Sequence, residues 1–364
     1  MVFRQGTTVY LFSVLTMKNF IVKTSLFSLP IILLSLFTFL FYSTNKGDLK
    51  RIGYVINIGN YRSIFKKELE QTDRLNKVSE INLDVSKKYT VLTIGDSFTG
   101  QIGYGYKNYL DQKEDISVLY FNRFLAGNPL EATFSILNGD LLDKIKVDYL
   151  ILQSVERKFL LRAISSKLDK KITINSIKTQ IQQHNDSLKF FKSKNIPFGN
   201  RIVKFPLQNV KYFFDDNGFD SETYIVKTKQ NLFSVNNNNL LFLNQDVDNL
   251  IVNNNPNNSI KLNELLNDLS NKLRAKDIKL IVLPCPDKYD LYYNYIIDNK
   301  KYPRPLFFEN FEKLPKTYLY INSKKILKEQ MKYQKDIYFY DDTHWSPRAS
   351  KIIANELEKV IRNK

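Results

Sequence analysis

The pattern of apolar and polar positions divides the chain into a short membrane-seeking part and a long α/β part. From Thr24 to Asn45 no residue is charged, and Leu26 to Tyr42 is almost wholly apolar or aromatic. That run reaches the lower end of what a bilayer-crossing helix requires, and Pro30 within it is tolerable because membrane helices accommodate proline. Phe41-Tyr42-Ser43-Thr44 offers a poor cleavage site, so the run reads as a signal anchor. The expected order is a tail over 1–23, a transmembrane helix over 24–45 and a polar, lysine-rich juxtamembrane stalk over 46–88. Arg4, Lys18 and Lys23 before the run are matched by Lys46, Lys50 and Arg51 after it, so the positive-inside rule gives little direction. The expectation is a single-pass protein with a short inside tail and its body exported, periplasmic or extracellular. Met17, followed by Lys18, is a plausible alternative start.

Beyond the stalk, a body over 89–364 is expected, in which short apolar runs alternate with helical patterns. Val91 to Ile94, Ile116 to Asn122, Val147 to Leu152, Ile278 to Leu283 and Ile337 to Tyr340 read as strands. Residues 101–112, Glu131 to Leu142, Lys261 to Lys276, Asn322 to Lys332 and Pro347 to Ile361 read as helices. Strands alternating with helices at this spacing predict a parallel sheet covered on both faces. The rhythm breaks over about 165–260, where a polar helix from Leu168 to Lys192 precedes an asparagine-rich stretch with short aromatic runs. This reads as an irregular, strand-bearing insertion, with no internal repeat.

Composition changes this picture little. The net charge of +17 admits nucleic acid, anionic polysaccharide or an anionic membrane as partner. The lysines are scattered among asparagines without nucleic-acid motif spacing, so no nucleic-acid partner is expected. Cys285 is the only cysteine, which excludes an intrachain disulfide and a multi-cysteine metal site. No metal or cofactor is called for.

Two stretches carry chemistry. Val91-Leu-Thr-Ile94 runs into Gly95-Asp96-Ser97-Phe98, a strand-to-helix turn that exposes a serine hydroxyl at the carboxyl edge of a sheet. Near the end, Tyr340-Asp341-Asp342-Thr343-His344-Trp345-Ser346-Pro347 again follows a strand and precedes a helix. A nucleophilic serine needs a base and a group that fixes the base's tautomer; Ser97, His344 and one of Asp341 or Asp342 supply all three. The same aspartates and Thr343 also suit a helix cap. The other histidine, His184, sits among polar residues on an expected solvated helix.

Gly95-Asp96-Ser97-Phe98 together with Asp342-Thr343-His344-Trp345 resembles the SGNH (GDSL-like) hydrolase superfamily, and more narrowly the alginate O-acetyltransferase (AlgX/AlgJ-like) family with its Asp-x-His-Trp signature. Leu241-Phe242-Leu243, the 261–276 helix and Pro284 to Tyr292 are similar to segments that precede the signature in that family. There the Gly-Asp-Ser-Phe block and a Glu-Arg pair follow the signature; here Ser97 and Glu156-Arg157 precede it, the order of a circularly permuted relative. The resemblance implies a three-layer, SGNH-hydrolase-like (flavodoxin-like) α/β fold. It implies Ser97 as nucleophile, His344 as base, and Asp342 as the orienting acid, with Asp341 as the alternative from the wider superfamily's spacing. It also implies an oxyanion hole from the serine N–H, a glycine for which Gly127 is the candidate, and an asparagine. The expected Gly-x-Asn-Asp is absent and Gln153 stands near its place, either as amide donor or as a structural glutamine. Arg157 is either an ion-pair partner of Glu156 supporting the loop or a substrate contact.

On this resemblance the expected activity is O-acetyl transfer onto an exported polysaccharide, with acetyl supplied by a membrane-bound O-acyltransferase partner. A carbohydrate or acetyl esterase using the same residues is the alternative, because water in place of the sugar gives hydrolysis. A third reading is a catalytically silent, membrane-tethered glycan-binding or assembly protein.

Overall fold

The computed structural model describes residues 5–42, 47–56, 61–190, 201–235 and 238–363. Eight strands form in chain order: β1 (Asn76–Lys77), β2 (Lys87–Ile94), β3 (Val118–Tyr120), β4 (Ile145–Val155), β5 (Thr223–Lys227), β6 (Asn239–Leu243), β7 (Lys279–Cys285) and β8 (Leu319–Tyr320). Six of them make a parallel sheet in the order β1-β3-β2-β4-β7-β8. Leaving aside the two-residue β1, the remaining order is that of a doubly wound, flavodoxin-like sheet, whose direction reverses between β2 and β4. Ligands of such sheets bind at the carboxyl ends of the strands flanking that reversal. Ser97 follows β2 and Gln153 lies near the end of β4, so both fall there.

Alternation along the strands explains the three layers. Val91, Val118, Ile151, Ile281 and Leu283 face one core, with Leu110, Leu327, Ile353 and Leu357 from covering helices. Leu92, Ile94, Leu119, Leu150, Leu152, Leu280 and Val282 face the other, with Leu130, Phe159, Leu266 and Phe307. Apolar residues on both faces are what a buried parallel strand requires. Three helices start with a capping side chain and a proline at the first position: Asn128-Pro129, Asn255-Pro256 and Ser346-Pro347. The cap accepts an otherwise unpaired N–H while proline has none to lose.

Several expectations shift. The Pro129–Leu137 helix ends earlier than expected, and a separate turn of helix covers Leu141–Lys144. The insertion supplies the helices Ile174–Phe190 and Arg201–Lys211 and an antiparallel β5–β6 ribbon. Leu240 to Leu243 of that ribbon pack into the first core. The expected stalk is part of the body: Leu49, Phe65, Leu75, Val78 and Leu83 are buried, apolar anchors that the lysine-rich composition around them concealed. The expected strand Ile337 to Tyr340 is reduced to one bridge, Tyr338 with Trp345. The carbonyls of Phe339 and Tyr340 accept from buried Lys288 Nζ, both at 2.7 Å, and not from a neighbouring strand.

The amino-terminal helix runs from Gln5 to Phe41. Its stretch Met17–Phe41 is long and apolar enough to cross a membrane; at 1.5 Å per residue its 25 residues span about 37 Å. The helix therefore starts before the expected 24–45 segment, and residues 43–46 at that segment's end, including Ser43 and Thr44, lie outside the described residues.

Candidate active site

The turn after β2 is pinned from beneath. Gln153, fully buried on β4, accepts at Oε1 from Asp96 N (3.0 Å), Thr99 N (3.3 Å) and Thr99 Oγ1 (2.8 Å). Its amide nitrogen donates to Cys285 Sγ at 3.2 Å. Gly95 must be glycine here, because a Cβ would lie 2.0 Å from Thr99 Oγ1 and 2.4 Å from Gln153 Oε1. Asp96 braces the same turn from the side, accepting from Phe98 N at 3.2 Å, Val155 N at 2.8 Å and Arg162 Nη1 at 2.6 Å. Burial alone would raise the Asp96 pKa, yet the Arg162 charge and these hydrogen bonds hold it below the ordinary carboxylate value.

His344 sits on a closed loop. Phe339 N–H donates to the His344 carbonyl (3.1 Å) and Ser346 N–H to that of Ile337 (2.9 Å), so residues 337–346 double back on themselves. Within the loop, His344 Nδ1 and Asp342 Oδ1 are 2.6 Å apart, and His344 N–H donates to the same oxygen at 3.1 Å. Asp341 is turned away: it accepts from Gly47 N and Arg62 Nε, each at 3.2 Å. Of the two candidate acids, Asp342 is the one that holds the imidazole. Burial would lower the His344 pKa, but the Asp342 bond and charge and the charge of Asp48 raise it above the ordinary value. Asp342 is held well below its own ordinary value: burial opposes this, and the bonded His344 and the Arg62 charge outweigh it.

The two stretches are joined by side chains. Gln101, just past the serine turn, accepts from Trp345 Nε1 at 2.8 Å and donates to the Trp345 carbonyl at 3.0 Å. Phe98 packs edge-on against Trp345 (5.1 Å between centroids) and lies 4.8 Å from the His344 ring. The residue after Ser97 therefore touches the imidazole. Nε2 of His344 is buried without a hydrogen-bond partner, so a Ser97–His344 bond is not closed in this state. Catalytic bonds of this kind tighten when substrate binds.

The remaining expectations divide. Gly127 adopts the left-handed region (φ 54°), but its N–H donates to the Arg123 carbonyl at 3.1 Å as the end of a helical turn. It is thereby withdrawn as an oxyanion donor. Gln153 has both ends of its amide engaged beneath the turn, the arrangement expected of a structural glutamine. The Ser97 N–H has no partner among the described residues. Arg157 does support a loop, though not by pairing with Glu156: it binds Asp287 (2.6 Å) and Asp246 (3.2 Å), all three buried. Glu156 instead accepts from Asp287 N at 2.9 Å, and burial beside Asp290 and Asp287 pushes its pKa well up. His184 is half-buried and stacked on Phe124 at 3.9 Å.

Sequence reasoning missed three contributors. Arg62 spans both aspartates, reaching Asp342 Oδ2 at 2.6 Å. Asp48 accepts from Thr343 N (2.8 Å) and Thr343 Oγ1 (2.6 Å) and stands 3.9 Å from His344 Nδ1. Lys288 ties the carbonyls of 339, 340 and 342, and burial pushes its pKa down to about 7 despite the aspartates nearby. Arg62 and Asp48 were hidden in the segment expected as a stalk, and no spacing marks them. Asp48, Asp342 and His344 offer ligand atoms within 4.8 Å of one another, the one such group among the described residues. Those atoms already face Thr343 and each other, an arrangement that orients the imidazole. Beside the serine turn a cleft of about 730 Å³ is lined by Gly100, Ile102, Asn122, Arg123, Phe124 and His184, among others.

A comparison with protein families finds a match over the carboxyl-terminal third of the chain. Residues 239–364 match the SGNH hydrolase-like domain of acetyltransferase AlgX. This AlgX-like segment includes Asp342, His344 and Trp345, while Ser97 lies outside it, just past the carboxyl end of β2 in the same sheet. The fold and the suspected family thus agree with the resemblance read from the motifs. No curated protein and no solved structure matches the chain.

Proposed function

We propose that the protein is a membrane-anchored, exported O-acetyltransferase that acts on a polysaccharide through Ser97, His344 and Asp342. The observation that carries this reading is the Asp342–His344 pair at 2.6 Å with Nε2 unengaged and the ring against Phe98. A carboxylate on Nδ1 fixes the tautomer whose Nε2 can take a proton from serine. In the proposed reaction Ser97 Oγ attacks the acetyl carbonyl of a donor and passes its proton to His344 Nε2, which returns it to the leaving group. A sugar hydroxyl then attacks the acyl-serine, gives its proton to His344 and leaves as the acetyl ester, releasing Ser97. Water in place of the sugar would make the same site an esterase. The cleft beside the turn supports a glycan acceptor, since the stacked Phe124–His184 pair and Arg123 line it. A membrane-bound O-acyltransferase is the proposed donor, on the AlgX resemblance and the apolar amino-terminal helix.

A second reading has its own observation. Gly127 and Gln153 are engaged elsewhere, which leaves the expected oxyanion hole incomplete and favours a silent, glycan-binding protein. Incubation with p-nitrophenyl acetate and an oligosaccharide panel, followed by mass spectrometry, separates the readings. Acetyl on Ser97 and on a sugar, both lost in Ser97→Ala, is the expected result. Acetate release without sugar modification would favour the esterase, and absence of acyl-Ser97 with retained glycan binding would favour the silent protein.

A further inference from the structure

The helix Arg201–Lys211 buries one face and leaves an apolar face uncovered. Phe205 and Gln208 are buried, whereas Val203, Leu207, Val210 and, just beyond the helix, Phe214 are 52%, 56%, 53% and 78% exposed. Their spacing of four, three and four residues makes one continuous stripe on a helical surface. Phe213 beside it is 87% exposed. Arg201, Lys204 and Lys211 flank the stripe, the composition of a helix that lies in a membrane interface.

The position of this helix indicates what covers it. Phe205 packs on Phe37 at 5.6 Å and on Tyr42 at 5.3 Å, and Thr38 Oγ1 donates to the Ile202 carbonyl at 3.2 Å. Phe37 is one turn before the end of the apolar span Met17–Phe41, about 6 Å inside it along the axis. Interfacial helices bury their apolar face about 5–10 Å deep, so the stripe sits at the matching level. Tyr42 and Tyr54 stack at 5.6 Å just past the span, with Lys204 over Tyr54 and Arg201 over Tyr42. Tyrosine and basic residues at that depth form the usual interfacial belt.

We propose that the Arg201–Lys211 helix and Phe213–Phe214 lie in the bilayer interface, as a second contact that fixes the orientation of the body on an anionic membrane. This rests on the reading of Met17–Phe41 as a membrane anchor, and the test separates the two. Cys285 is buried, so the full-length protein in phosphatidylcholine–phosphatidylglycerol nanodiscs takes an environment-sensitive fluorophore at one introduced cysteine. The sites are Leu207→Cys and Phe214→Cys on the stripe, Leu33→Cys in the span and Tyr333→Cys as a solvent control.

Shallow spin-labelled lipids are expected to quench the probes at 207 and 214 strongly, deep-labelled lipids to quench the probe at 33, and neither to quench the probe at 333. Leu207→Glu is expected to lower the quenching at 214. If 207 and 214 behave like 333 while 33 is quenched, the anchor holds and the interfacial helix is wrong. A blue shift at 207 and 214 without lipid quenching would assign the stripe to a protein partner or a second copy and overturn the proposal. Loss of quenching at 33 would instead remove the anchor itself.

Discussion

Replacing Asp342 by Asn tests the proposed triad most directly, because the surroundings dictate how the amide must sit. The carboxylate now accepts from Arg62 Nη2 on Oδ2 (2.6 Å) and from His344 N–H (3.1 Å) and Nδ1 (2.6 Å) on Oδ1. An amide has one acceptor oxygen, and Arg62 cannot give up its proton, whereas imidazole can change tautomer. With the oxygen facing Arg62 and the NH2 facing Nδ1, at the cost of the bond from the His344 N–H, the imidazole proton moves to Nε2. A protonated Nε2 cannot take the proton of Ser97. Loss of this tautomer control costs on the order of 10⁴ in kcat for triads, about 5 kcal/mol of barrier.

The pH profile gives an independent sign. Against burial, the Asp342 bond and charge raise the His344 pKa, and activity that needs neutral imidazole grows as pH rises through that value. Asp342→Asn removes the cause, so the residual activity should have its acid limb at lower pH. Arg62→Ala removes a neighbouring cation and should move the limb the other way, with a smaller loss of kcat. Stopped-flow acylation with p-nitrophenyl acetate across pH measures both variants. A loss below about tenfold, or an acid limb that stays in place in Asp342→Asn, would refute the assignment.

Two further predictions separate positioning from chemistry in the serine turn. Gln153→Met removes the acceptor for the Asp96 and Thr99 N–H groups, and at ~1–3 kcal/mol per stranded donor it should cost about 2–6 kcal/mol in urea unfolding. A ~10²-fold fall in kcat at unchanged stability would instead make Gln153 an oxyanion donor. Asp96→Asn breaks the pair with Arg162 (2.6 Å) and should cost roughly 2–4 kcal/mol at neutral pH, discounted for the partial exposure of the arginine. Because the folded Asp96 pKa is lowered, its stabilisation is complete above the unfolded value and lost as pH falls through the folded one. The gap between wild type and variant should close on acidification, and a gap independent of pH would contradict this account.

Much of this was legible before any coordinates. Runs such as Val91 to Ile94 and Val147 to Leu152 are apolar on both alternating faces, as a covered parallel strand requires, and Pro347 starts its helix where expected, whereas Pro129 and Pro256 start theirs before the expected Glu131 and Lys261. Asp342 was expected as the acid on the resemblance, with Asp341 as the alternative, and the tight loop brings Asp342 onto Nδ1. What escaped depends on contacts between residues distant in sequence. Ile337 to Tyr340 has the composition of a strand, but Lys288, some fifty positions away, takes its carbonyls. Gln153 was left between two roles because its chemistry suits both; three donors converge on its oxygen, and Thr99 carries no mark in the sequence of being one of them. Gly127 has the left-handed conformation expected of a glycine with a special role, yet its N–H closes a helical turn.

The segment after the apolar helix matters more than its composition suggests. Gly47, six residues beyond Phe41, donates to Asp341, and a Cβ there would lie 2.1 Å from the Asp341 carbonyl oxygen. Six residues of extended chain reach at most about 21 Å, so the histidine loop is held within that distance of the end of the span. Three carboxylates, Asp48, Asp341 and Asp342, converge on this loop, and like charges so placed repel. The Arg62 guanidinium pairs with Asp341 and Asp342 and offsets this repulsion, and burial next to Asp342 raises the Asp48 pKa. The tether therefore supplies both an acid and the neutralising base of the loop that orients the imidazole. The segment that follows the apolar helix and the candidate active site form one mechanical unit, and a body cut free within 47–62 would lose the groups that hold Asp342 and Thr343 in register with His344.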